Sequence, residues 1–165
     1  GSYSAHVVSQ DDSVGAAMVE IYDTDASGAT QTAKLSNISL RGNVSTGGDV
    51  IVSGFIVTGD APRRMLVRAV GSELATYGVS GTAQDPQLTL FKAGSGESVE
   101  VASNDDWGTD AQVVRTVSAQ LGAFPMGEGS KSSALVVWLA PGAYTAHVRS
   151  TSGPGVVLVE VYEAP

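Results

Sequence analysis

Two short acidic stretches have the side chains and spacing to hold a divalent cation. Asp23, Asp25 and Ser27 fall at positions one, three and five of a calcium-type loop, with Gly28 at position six, as an EF-hand begins. Position twelve, where such a loop needs a bidentate Glu, is Lys34, so the strongest ligand is missing and a polar turn or linker is the better reading. The second stretch is Asn104, Asp105 and Asp106, with Asp110 close behind. Adjacent carboxylates repel, and either a cation or the free N–H groups of a helix start would offset that repulsion. A turn leading into a helix N-cap accounts for it more simply. Calcium is therefore the one cofactor left open, with Asp23, Asp25, Asn104, Asp105 and Asp106 as its candidate ligands.

Catalytic chemistry has less to work with. The two histidines, His6 and His147, occupy equivalent positions of an internal repeat, so nothing brings them to one site. Each alternates away from an apolar face, beside Glu20 or Glu160, and reads as a surface group in cross-strand contact. No G-x-S-x-G elbow, H-E-x-x-H helix or phosphate loop occurs. Seventeen acidic residues supply Asp–Glu pairs by chance, so such pairs do not argue for glycoside hydrolysis. Without cysteine there is no disulfide framework and no thiolate metal site. A net charge of −8 opposes nucleic-acid binding, which needs clustered Lys and Arg. No apolar run reaches the length of about 18 residues that a membrane helix requires. Trp107 could stack on a sugar, but Trp107 and Trp138 fit core or half-buried anchors better. No enzyme is expected.

The elements that would carry these residues are strands. At 165 residues the chain is one domain, or one plus a fragment, and 20 glycines and 6 prolines among abundant Val, Ser and Thr favour strands and tight turns. Alternation predicts strands at 3–8, 15–22, 37–44, 49–59, 63–71, 87–94, 97–104, 133–140, 143–149 and 155–162. The turn signals TGGD, GDAP, AGSGE and APG recur at roughly ten-residue spacing, the rhythm of a sandwich or barrel. VIVSGFIV (50–57) is apolar on both faces and predicts a central strand. One short helix is predicted at 109–121, capped by Thr109 or Asp110, with Val113, Val114, Val117 and Leu121 on its apolar face.

The chain also repeats itself. GSYSAHVVSQDDSVGAAMVEIYD at the start returns near the end as GAYTAHVRSTSGPGVVLVEVYE, with Gly1, Tyr3, Ala5, His6, Val7, Ser9, Gly15, Val19, Glu20 and Tyr22 recurring as Gly142, Tyr144, Ala146, His147, Val148, Ser150, Gly155, Val159, Glu160 and Tyr162. Read as a hairpin, the first copy puts Tyr3, Ala5 and Val7 on one face with Ala17, Val19 and Ile21. Burying one large apolar side chain contributes about 1.5–3 kcal/mol, and a lone two-stranded hairpin is marginal in water. The first hairpin must therefore dock on something, and Tyr3, Ala5, Val7, Val19 and Ile21 are its candidate assembly residues. Residues 1–25 form this hairpin and the start of a polar linker, and residues 26–165 form a sandwich repeat.

DPQLTLF (85–91), ASNDDW (102–107), LAPGAYTAHV (139–148) and GVVLVEVY (155–162) together resemble bacterial pre-peptidase C-terminal-type β-sandwich modules. The upstream run from Leu35 to Gly71 is similar to segments that precede such modules in long repetitive secreted proteins. The resemblance covers about residues 35–163, and the first hairpin matches the tail of a preceding repeat. It implies an extracellular, non-catalytic role. Fold and resemblance together lead us to expect an all-β, jelly-roll-like sandwich that is a structural subunit of an extracellular filament or surface array. Copies of itself or adjacent tandem repeats would be its partners, joined head to tail by hairpin or strand addition. The alternative is a carbohydrate- or calcium-binding accessory module of a secreted protein.

Overall fold

Most strands of this chain carry apolar residues at alternate positions, and two sheets laid face to face bury the main sets together. The computed structural model describes residues 1–11, 13, 15–22 and 35–165. They fall into two units, 1–35 and 36–165. The second unit is a sandwich of eight strands: β1 (Asn37–Val44), β2 (Ile51–Val57), β3 (Arg63–Val70), β4 (Pro86–Lys92), β5 (Val99–Asn104), β6 (Ser133–Leu139), β7 (Gly142–Ser150) and β8 (Gly155–Ala164). One sheet has the order β1-β8-β3-β6 and the other β2-β7-β4-β5, with all pairs antiparallel. This is the order of a jelly roll. The fold class read from the sequence is the one observed.

Between the sheets lies one core. Met65, Val67 and Ala69 of β3 and Val157, Val159 and Val161 of β8 face Leu88 and Leu90 of β4 and Tyr144, Ala146 and Val148 of β7. The outer face of the first sheet is also covered. The chain between β5 and β6 makes a 3-10 turn (Trp107–Asp110) and the helix α1 (Ala111–Leu121), whose residues Trp107, Val114 and Val117 pack on Val70, Leu66, Ala134 and Tyr162. A second 3-10 turn, Ser72–Tyr77, adds Leu74 to this layer. Sheet, sheet and helical cover make three layers.

Four expectations change. The strands at the C-terminal end form no hairpin: β7 and β8 belong to opposite sheets and do not pair with each other. Their two apolar sets meet across the core instead of sharing one face, and the connection of residues 151–154 arches from one sheet to the other. VIVSGFIV is not a central strand either. As β2 it is an edge strand with one open face, where Val52 and Ile56 are exposed while Ile51, Ser53 and Val57 point inward. Its doubly apolar pattern does not report double burial. On α1, Val114 and Val117 are buried but Val113 is exposed, because the helix rests on the sheet along a narrower stripe than the sequence pattern spans. Asp110 occupies the N-cap position without a side-chain capping bond.

The fourth change concerns the first unit. No strand is formed among its described residues, although 3–8 and 15–22 have strand sequences. In the C-terminal copy each strand receives a ladder from a neighbour on both sides, and such neighbours are absent from a segment this short. Local contacts remain. The Ser9 hydroxyl donates to Asp11 Oδ1 at 2.7 Å, and the Ser13 and Ser9 hydroxyls draw the Asp11 carboxyl down to about 2.

Replacing Leu90, fully buried between the sheets, by Ala is expected to cost about 2–5 kcal/mol. Ile56→Ala on the open face of β2 should stay within about 0.5 kcal/mol. Denaturant titration of both variants checks the edge placement of β2; equal losses would contradict it.

Candidate functional site

The duplicated segment gains its meaning from the contacts of its C-terminal copy. Tyr144 is buried, its ring stacked on Phe55 of β2 at 5.7 Å and its hydroxyl donating to Ala140 O at 2.8 Å. Ala146 and Val148 are fully buried in the core, as are Val157 and Val159 across from them. Gly155 opens β8 where the backbone of residues 81–83 passes against it: Val156 N donates to Gly81 O at 2.8 Å and Ala83 N to Val156 O at 2.9 Å. A Cβ on Gly155 would stand 2.4 Å from Ala83 N, so no other residue fits there.

Glu160 is the position that sequence reasoning placed wrongly. It was expected on the surface beside His147, yet it lies in the other sheet, 4% exposed beneath the helical cover. Arg68 of β3, fully buried, donates through Nε to Glu160 Oε2 at 2.9 Å and through Nη2 to the same oxygen. Its Nη1 donates to Phe124 O at 2.7 Å, with the Phe124 ring packed on the guanidinium. The other carboxylate oxygen accepts the Tyr162 hydroxyl at 2.6 Å, and burial together with that carboxylate pushes the Tyr162 hydroxyl up. Two buried charges and a phenol thus satisfy one another, which such groups require. An Arg inside an apolar strand run was the available signal.

A second polar group pins the cover. Glu73, in the turn after β3, accepts the hydroxyls of Ser130 and of Ser132 (2.6 Å) and the Gly127 N–H at 3.2 Å. Trp107 Nε1 donates to Ser130 Oγ at 3.1 Å, and Gly71 N to Ser132 Oγ at 3.1 Å. Burial is the largest effect on the Glu73 carboxyl and pushes it up, but the hydrogen bonds together outweigh it and hold the carboxyl below its ordinary value. Trp107, buried and capped by the Arg115 guanidinium, is a core anchor. Trp138 is not: on the edge strand β6 it is 69% exposed.

The candidate metal ligands separate. Asp23 and Asp25 lie outside the described residues. Asn104 spends both ends of its amide on structure, accepting from Ala134 N at 2.9 Å and donating to Asp106 O at 3.1 Å. Asp105 holds β6 through its carbonyl, which accepts the Ser133 hydroxyl at 2.8 Å. Its carboxyl is pushed up by burial and by the Asp85 and Asp106 carboxylates. Lys131, 2.8 Å from Asp85 Oδ2, already supplies positive charge here. Among the described residues no group of three or more acidic or histidine side chains is arranged to hold a metal ion.

His147 lies on the outer face of the second sheet, its Nε2 3.1 Å from Thr145 Oγ1 and its ring 4.8 Å from that of Phe91; partial burial pushes its pKa down. The candidate assembly residues are all in the first copy, and there Tyr3 is 94%, Val7 60%, Val19 46% and Ile21 59% exposed. Ala5 is exposed with them. The local pair is retained: the Tyr22 hydroxyl donates to Glu20 Oε1 at 2.8 Å, as Tyr162 does to Glu160.

These sheets define the class as a two-sheet, jelly-roll β-sandwich. Among solved structures the chain is similar to the pre-peptidase C-terminal domain of a collagenase from Bacillus anthracis, with 14% identity and a TM-score of 0.45 over 76% of this chain and 89% of that one. It is also similar to a protein from Sulfurospirillum deleyianum, with 9% identity and a TM-score of 0.40 over 78% of this chain and 97% of that one. No family model matches the sequence, and no curated protein does.

Two outcomes follow from the polar groups. Glu160→Leu alone leaves the Arg68 charge buried without its partner and should cost about 3–5 kcal/mol, whereas Arg68→Met with Glu160→Leu should cost far less. A double-mutant cycle in denaturant measures this. For Glu73 the folded carboxyl titrates below its ordinary value of 4.5, so its contribution is present above that pH and is lost as pH falls through the lowered value. Glu73→Gln should therefore flatten the loss of stability on acidification below about pH 5. An unchanged acid limb would contradict the assignment.

Proposed function

We propose that this protein is a non-catalytic structural subunit of an extracellular filament or surface array, joined head to tail to neighbouring copies through residues 1–22. One observation carries the reading. A segment that copies β7 and β8 exposes the same apolar side chains that the sandwich buries in its own pair: Tyr3 is 94% exposed where Tyr144 is 3%, and Val7 is 60% exposed where Val148 is fully buried. Exposed apolar surface of this kind marks an interaction site. The sandwich in unit two already contains all eight of its strands, so this segment is not needed to complete it and is left for a neighbour.

The chemistry described above supports a scaffold in place of an active site. The buried charged groups are spent on one another, and the histidines lie in separate units. In the pre-peptidase C-terminal modules that the sequence resembles, the same kind of sandwich accompanies secreted proteins, which supports the extracellular placement.

Two measurements test the proposal. Gold-labelled antibody against residues 36–165 should decorate surface-attached or shed structures of the producing cells at regular spacing; label confined to the cell interior would overturn it. Deleting residues 1–22 should leave the unfolding midpoint of the sandwich within a degree or two, because strands β1 to β8 all lie beyond the deletion. A fall of ten degrees or more would mean that the segment serves its own sandwich.

A further inference from the structure

Several residues that the first copy shares with β7 and β8 have a use only against strands that neither copy contains. Gly155 is required because residues 81–83 cross it, leaving 2.4 Å between a Cβ and Ala83 N. Its counterpart Gly15 has nothing within 4 Å of such a Cβ and no positive φ, so nothing local requires a glycine there. Glu160 is buried against Arg68 of β3; its counterpart Glu20 is exposed and bonded to Tyr22. Tyr144 stacks on Phe55 of β2; its counterpart Tyr3 is 94% exposed. Glycine, glutamate and tyrosine are the side chains that a shell made of β1 to β6 asks for, at the spacing it asks for.

We propose that residues 1–22 are the β7–β8 pair of a second copy of this shell. Residues 3–7 insert between its β2 and β4, residues 17–21 insert between its β1 and β3, and Glu20 pairs with the buried arginine equivalent to Arg68. The occupied place is central in both sheets. An added strand at an open edge would gain one ladder, not two, and would leave Gly15 and Glu20 without a role. The acceptor is a β1–β6 shell without its own last two strands, because in a complete sandwich that place is filled. The inference rests on the reading that residues 1–22 join this chain to a neighbouring repeat, and it fixes where they join.

The joint can be built. Gly1 aligns with Gly142, so a second copy of residues 36–141 fused ahead of the full chain places Pro141 before Gly1 as it stands before Gly142. The extended chain should hold two sandwiches, with the calorimetric unfolding enthalpy doubled and the added segment protected from protease. Glu20→Gln should lower the midpoint of the added sandwich alone, and Glu160→Gln that of the original alone. An added segment that is digested while the original sandwich stays folded overturns the proposal. So does a folded added segment whose midpoint ignores Glu20→Gln while the original responds to Glu160→Gln. A second variant guards against a fusion that fails for other reasons: in the full chain, residues 142–162 are replaced by residues 1–22. A folded sandwich supports the proposal, and an unfolded one overturns it. None of these results depends on cell-surface assembly, so a failure of antibody labelling would remove the filament reading and leave this one standing.

Discussion

Two strands hold this sandwich together, because each is interior to its sheet. Without β8, β1 has no partner and is cut off from β3 and β6; without β7, β2 is cut off from β4 and β5. The two also supply facing halves of the core, Tyr144, Ala146 and Val148 against Val157, Val159 and Val161. Hydrogen-bonded continuity within the sheets and apolar contact between them therefore pass through the same pair. The other two interior strands, β3 and β4, each lie against one member of this pair.

The helical cover depends on the same pair through a different force. Beneath it, Glu160 of β8 binds Arg68, Arg68 binds the carbonyl of Phe124, and Tyr162 closes the second carboxylate oxygen. A buried ion pair adds little net stability over apolar replacements, but it tolerates few alternative arrangements. It ties strand β8, strand β3 and the chain after α1 into one register. Glu73 does similar work at the other end of the cover, where one carboxylate gathers Ser130, Ser132 and Gly127.

The strands of the sandwich were legible in the sequence because alternation and turn residues report local geometry. Which strands pair was not legible. The segment 143–162 reads as a hairpin because two strands joined by a short loop with matched apolar faces satisfy that description equally as neighbours or as opposed layers. The choice is made by β1 to β4, which flank both strands. VIVSGFIV misled for a related reason: Ile56 and Val52 are apolar on the solvent side of an edge, and composition does not record which side is covered. Glu160 looked like a surface acid because its partner Arg68 is remote in the chain. The candidate assembly residues were found from the internal repeat, the one signal that needed no knowledge of pairing.

Placing the central strands last has a consequence for how the protein is made. Strands β1 to β6 emerge first, yet Asn37 of β1 must wait for Tyr162 of β8, and Ile51 of β2 for Val148 of β7. Neither sheet can close before β7 and β8 have been made. Pairings this distant along the chain are slow to form, and the unfinished sheets leave strand edges open meanwhile. Each repeat therefore folds only once its final strands have been released, and its vulnerability to misassembly is concentrated in that interval.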